Sequence, residues 1–110
     1  MATISENKNK DPYEILTSLF ENRKAASNAE RLSQINKLPV LAASPRNYAL
    51  MEKMLRMAIN SKHGALVEAI LKIAGDNFRP QDIGNYVNKQ TADAVRIVFE
   101  QRYPDQFVKP

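Results

Sequence analysis

A single histidine, His63, and the absence of cysteine confine the chemistry open to this chain. Zinc ribbons, disulfide frameworks and thiol nucleophiles need sulfur that is not there, and a histidine without a nearby Cys, Asp or second His is a poor metal ligand. Carboxylate pairs are the remaining acid–base candidates: Asp76 with Asp82, and Asp93 with Glu100. Such a pair works when its surroundings drive the two pKa values apart. Asp93 and Glu100 fall on the exposed face of one predicted helix, where nothing does so. Gly64, Gly75 and Gly84 are isolated, so no glycine-rich loop cradles a phosphate. Ser27 and Ser44 are explained as helix caps, and no oriented base stands ready for a nucleophile. The expectation is a protein that is not an enzyme and carries no cofactor or metal.

Charge offers more. Sixteen Lys plus Arg face twelve Asp plus Glu, for a net +4. Between Arg23 and Lys62 eight basic residues (Arg23, Lys24, Arg31, Lys37, Arg46, Lys53, Arg56 and Lys62) meet only Glu30 and Glu52, so that stretch carries +6 and the remainder −2. A field of that sign favours acidic protein surfaces, phosphates or anionic lipid. The same charges also serve simply to keep a small protein soluble.

The elements that position these groups are helical. Asp11-Pro12-Tyr13-Glu14 opens a first helix, with Ile15, Leu16, Leu19 and Phe20 at helical spacing, fading near Lys24. Ser27-Asn28-Ala29-Glu30 is a capping box for a second, whose stripe is Leu32, Ile35 and Leu38 and whose end is Pro39. Ser44-Pro45 starts a third, burying Leu50, Met51, Met54, Leu55 and Ala58, while Met57 lies off that stripe and suits an adaptable contact surface. After a turn at 60–64, residues 65–74 form a fourth helix that is apolar nearly all round, which marks it for the centre of the fold, and Gly75 ends it. Pro80 starts a short fifth helix through Ile83, Tyr86 and Val87; Thr91 caps a sixth, with Ala94, Val95, Val98 and Phe99 inward. No alternating strand pattern or hairpin signal occurs. The predicted fold is all-α, about six helices in antiparallel helix-turn-helix pairs. The boundaries are a flexible polar tail over 1–10, one helical domain over 11–104 and a C-terminal tail over 105–110.

A shift of 28 residues brings Leu55 onto Ile83, Asn60 onto Asn88, Val67 onto Val95, Ile70 onto Val98 and Leu71 onto Phe99. In the segment 55–71, Ala58, His63, Val67, Ile70 and Leu71 stand at the spacing of an ankyrin repeat, and Gly75-Asp76-Asn77 is similar to the repeat's closing glycine and aspartate. The chain thus resembles degenerate ankyrin-like repeats, best over 53–77 and more loosely over 81–105. Gly64 follows His63 where the family's glycine precedes its histidine, and the threonine-proline start is missing. The resemblance implies an ankyrin-like or other α-solenoid stack, with His63 structural, tying neighbouring turns by hydrogen bonds.

Stacked helix pairs leave an extended surface of turns and first-helix positions for partners. The expected function is therefore a protein-interaction module, an adaptor that presents a basic, polar surface to an acidic protein partner. The partner-binding candidates are Arg46, Lys53, Arg56, Asn60, Lys62, Asn88 and Lys89; His63 and Gly75 are structural candidates. One alternative is nucleic-acid binding, with 80–102 as a helix-turn-helix, although Asp93 sits where such a helix meets base edges. Another is a homodimer, or a subunit of a larger assembly, driven by apolar stripes left partly uncovered. No apolar run approaches the roughly 18 residues of a membrane span, and residues 1–10 lack a secretory signal's apolar segment. A cytoplasmic location is expected, with signal-less export to another compartment or a host cell as the other route.

Overall fold

A computed structural model describes residues 12–21 and 27–106; the predicted N-terminal tail, the Asp11 cap, the fading of the first helix near Lys24 and the end of the C-terminal tail lie outside them. The described residues are helical, without a strand. Five α-helices lie among the described residues: α1 (Pro12–Glu21), α2 (Asn28–Ile35), α3 (Pro45–Asn60), α4 (Gly64–Ala74) and α5 (Asp93–Arg102). Short 3₁₀ helices occupy Gly75–Asn77, Pro80–Asn85 and Pro104–Gln106.

The local signals act where the sequence puts them. Pro12 and Pro45 take first-turn positions, where their missing N–H costs no hydrogen bond. The Ser27 hydroxyl accepts from the Glu30 N–H at 3.2 Å, and the Ser44 hydroxyl from the Asn47 N–H at 3.1 Å. At the end of α3 the chain forms a Schellman turn: the Lys62 N–H donates to the Ile59 carbonyl at 2.9 Å and the His63 N–H to the Ala58 carbonyl at 3.3 Å. His63 then caps α4, its Nδ1 accepting from the Leu66 N–H at 3.2 Å. Gly75 follows α4 with φ +51°, a conformation that side chains resist. A Cβ there would also lie 2.5 Å from Val40 Cγ1.

α4 is the central element. Leu66, Val67, Ala69, Ile70, Leu71, Ile73 and Ala74 are all buried, and α2, α3 and α5 pack around the helix while α1 packs on α3. From α3 come Leu50, Met51, Met54, Leu55 and Ala58; α1 adds Leu16 and Phe20, α2 adds Ile35, and α5 adds Val95 and Phe99. Each large side chain taken out of water contributes about 1.5–3 kcal/mol. The contiguous core of some twenty such residues is what orders these short helices. Gly64 lets α5 approach the start of α4 closely: a Cβ at this position would lie 2.7 Å from the Ala94 carbonyl oxygen.

Four local expectations need correction. α2 ends at Ile35 rather than at Pro39, because the next turn tightens: Lys37 and Leu38 donate to Gln34 and Ile35, an i→i−3 pattern. Pro80–Asn85 is 3₁₀ rather than α-helix; six residues with a proline at the start and Gly84 inside gain too little from i→i−4 bonding. Thr91 does not cap α5. Its hydroxyl accepts instead from the Asn88 N–H at 2.8 Å, and Ala92 stands at the cap without a side-chain bond. Ala94 is exposed, although its carbonyl meets Gly64. After α5, residues Pro104–Gln106 form a 3₁₀ turn.

Candidate functional site

The C-terminal end of α3 and the chain between Asn85 and Ala92 enclose an open groove of about 420 Å³. Arg56, Ile59, Asn60 and Lys62 form one wall; Asn85, Tyr86, Asn88, Gln90, Thr91 and Ala92 form the other. Four of the predicted partner-binding residues, Arg56, Asn60, Lys62 and Asn88, therefore meet in one place. Lys89 is exposed on the same loop but does not line the groove, and Lys53 is exposed elsewhere on α3. Arg46 lies at the other end of α3, its guanidinium 4.2 Å from the Tyr13 ring centroid, where it helps hold α1.

Each wall is set by its backbone. Lys62 is the left-handed residue of the Schellman turn, with φ +57°, a position that glycine or asparagine normally fills. The turn aims the residue outward, and Lys62 forms no ion pair among the described residues. Opposite, the loop closes on itself: Asn88 Oδ1 accepts from the Gln90 N–H at 2.8 Å while the Asn88 N–H donates to Thr91. Such an Asx turn holds its shape with local bonds. The side-chain amides of Asn60, Asn85 and Gln90 have no hydrogen-bond partner among the described residues.

Tyr86 supports the floor. Its ring is buried, 5.7 Å from the Phe78 ring centroid, and the Arg56 guanidinium lies 5.0 Å over it. Its hydroxyl donates to Glu52 Oε2 at 3.4 Å, and Arg56 reaches the same oxygen at 3.5 Å. Both contacts are long, and the Arg56–Glu52 pair is about half exposed, so it is worth about 0–1 kcal/mol. Arg56 is thus held over the ring but remains free to take another carboxylate. Burial, and then the Glu52 charge, push the Tyr86 hydroxyl well above the ordinary phenol range, so it stays neutral.

Two of the four acid–base candidates have partners in the fold. Asp82 sits 3.7 Å from Arg79 Nε and accepts from the Tyr48 hydroxyl at 3.4 Å; Asp93 pairs with Arg96 at 2.9 Å across the first turn of α5. No group of three or more His, Cys, Asp or Glu is placed to hold a metal among the described residues, and no helix there is long and apolar enough to cross a membrane. The residues that sequence reasoning missed are Tyr86, Asn85, Gln90 and Thr91. Tyr86 reads as an inward-facing aromatic, and its contact with Glu52 spans 34 residues, which no local spacing announces. No family model, curated protein or solved structure matches the chain, and a functional reading therefore rests on the groove itself.

Proposed function

We propose that this chain is a non-catalytic protein-interaction module that offers its basic, polar groove to an acidic protein partner. One observation carries the reading: two segments about 30 residues apart in sequence bring Arg56, Asn60, Lys62 and Asn88 to one concave surface. The ankyrin-like reading fits this placement. α3, the Ser61–His63 turn and α4 make one helix pair, with the partner surface at the turn and the end of its first helix. The 3₁₀ helix at Pro80–Asn85 followed by α5 makes a second, shortened unit.

Nucleic-acid binding is less well supported. Residues 80–85 lack the α-helix that a helix-turn-helix needs, and Asp93 with Arg96 occupies the first turn of the would-be recognition helix. Self-association through the stripe of α4 finds little surface, since α4 is covered; Val40 and Ile97 are the exposed large hydrophobic residues among those described.

A photo-cross-linking residue at Lys89, on the groove's rim, tests the reading in the full chain. Discrete protein adducts that survive nuclease treatment and vanish on reversing Lys53, Arg56 and Lys62 to Glu are expected. Adducts that are nucleic acid, or that ignore the charge reversal, would overturn it.

A further inference from the structure

We propose that the groove takes an extended acidic peptide segment, with side-chain carboxylates on Arg56 and Lys62 and the peptide main chain on the amides of Asn60, Asn85 and Gln90. The proposal rests on the interaction-module reading and adds the chemistry of the bound segment.

The backbone at Lys62 gives the first argument. A left-handed position that closes a Schellman turn is most stable as glycine, and a lysine at φ +57° costs stability. Strain of this kind collects at binding sites, where the side chain it keeps has work to do. Here the strained residue is a cation on the wall of the groove, with no ion pair among the described residues. Arg56, on the same wall, gives its existing carboxylate a contact of only 3.5 Å. An incoming carboxylate can meet that guanidinium closer and in a two-pronged geometry.

The amides give the second argument. Asn60, Asn85 and Gln90 each bring a donor and an acceptor to one open surface, the combination that pairs with a peptide N–H and C=O alike. Phosphate offers acceptors alone and would leave the amide oxygens unmatched. Single-stranded nucleic acid also needs an aromatic face for its bases. The Tyr86 ring is covered by Arg56 on the groove side and packed against Phe78. Charge complementarity selects an anionic ligand, and the hydrogen-bonding pattern selects peptide among the anions.

A short, end-blocked, fluorescein-labelled peptide of alternating Glu and Ser tests this by polarisation at low salt, beside the matching Gln-Ser peptide and an oligothymidylate of equal charge. Wild-type protein is expected to prefer Glu-Ser. Lys62→Gly should weaken that binding about tenfold, the effect of one charge-assisted contact. The same change should raise Tm by about 2–6 °C through relief of the turn, so the lost binding cannot be lost folding. Lys62→Arg should keep both affinity and Tm. Equal binding of the Gln-Ser peptide, tighter binding of the oligothymidylate, or affinity untouched by both Lys62→Gly and Arg56→Gln overturns the proposal. If no Glu-Ser peptide binds while the Lys89 cross-linker still captures a protein in a charge-dependent way, this inference falls and the interaction reading stands. If both fail, so do both readings.

Discussion

Asn47 and Asn77, far apart in sequence and both buried, donate their side-chain amides to the same acceptor, the Ala42 carbonyl, at 2.8 and 2.9 Å. Asn77 also accepts from the Ser44 N–H at 3.1 Å. The segment between α2 and α3 is thereby fastened to the end of α4, and the Leu41 N–H adds a 2.7 Å bond to the Ile73 carbonyl. Asn77→Ala is expected to destabilise the fold by about 2–3 kcal/mol, because the half-buried Ser44 N–H loses its acceptor and the Ala42 carbonyl loses one of its two donors. Asn47→Ala should cost less, about 1–2 kcal/mol, since its Oδ1 has no partner to lose. The double variant should exceed the sum by about 0.5 kcal/mol or more, as Ala42 then has neither donor. Urea unfolding of the three variants measures this.

The two glycines Gly64 and Gly84 should respond oppositely to alanine. At Gly64 the new Cβ would meet backbone, the Ala94 carbonyl oxygen at 2.7 Å, so α5 must move and about 1–3 kcal/mol is lost. At Gly84 nothing lies within 4 Å. Gly84→Ala should be neutral or stabilise by up to about 1 kcal/mol through the unfolded chain. Thermal scans of the pair settle it.

His63 is placed as a cap, and its removal should behave as a cap's removal. His63→Ala is expected to cost about 1 kcal/mol, and His63→Asp to recover most of that by offering the Leu66 N–H another acceptor at a helix N-terminus. Equal losses in both variants would point to a role beyond the cap.

Tyr86 makes stability depend on alkaline pH. Its pKa is raised in the folded state, while in the unfolded chain it ionises near the ordinary value of about 10. Above that pH the unfolded state binds fewer protons than the folded one, so stability is full at neutral pH and falls as pH rises past about 10. The Tyr86→Phe variant should show a shallower fall. Denaturant titrations of both proteins from neutral to strongly alkaline pH compare the slopes.

Much of this fold is legible in the residues because its signals are local. Ser27 and Ser44 act within three positions, and the apolar repeat of α3 and α4 is a property of neighbours on one helix. Thr91 shows where local reading stops: its hydroxyl accepts from the Asn88 N–H behind it, and Ala92 stands at the cap of α5 instead. The basic residues of the groove can be named from charge and turn position. That Asn88 and Gln90 face Arg56 and Lys62 depends on how the 85–92 segment packs, and that Arg46 is drawn off to Tyr13 depends on how α1 packs; no spacing encodes either. Nothing local marks Asn47 and Asn77 as buried, because the bonds that hold Asn77 reach back more than 30 residues.

The turn between α3 and α4 has no spare residue. Ser61 closes one helix, Lys62 reverses the chain, and His63 opens the next helix. Adding or deleting one residue here would rotate α4 about 100° around its axis relative to α3. The polar positions Glu68 and Lys72, both exposed, would then swing toward the interior. The Asn88–Thr91 loop answers to a different constraint, because its bonds are its own and its tip is exposed. Length variation is therefore tolerated on one wall of the groove and forbidden on the other: the wall that holds Lys62 sets a fixed phase, and the wall that holds Asn88 is where the breadth of the groove can change.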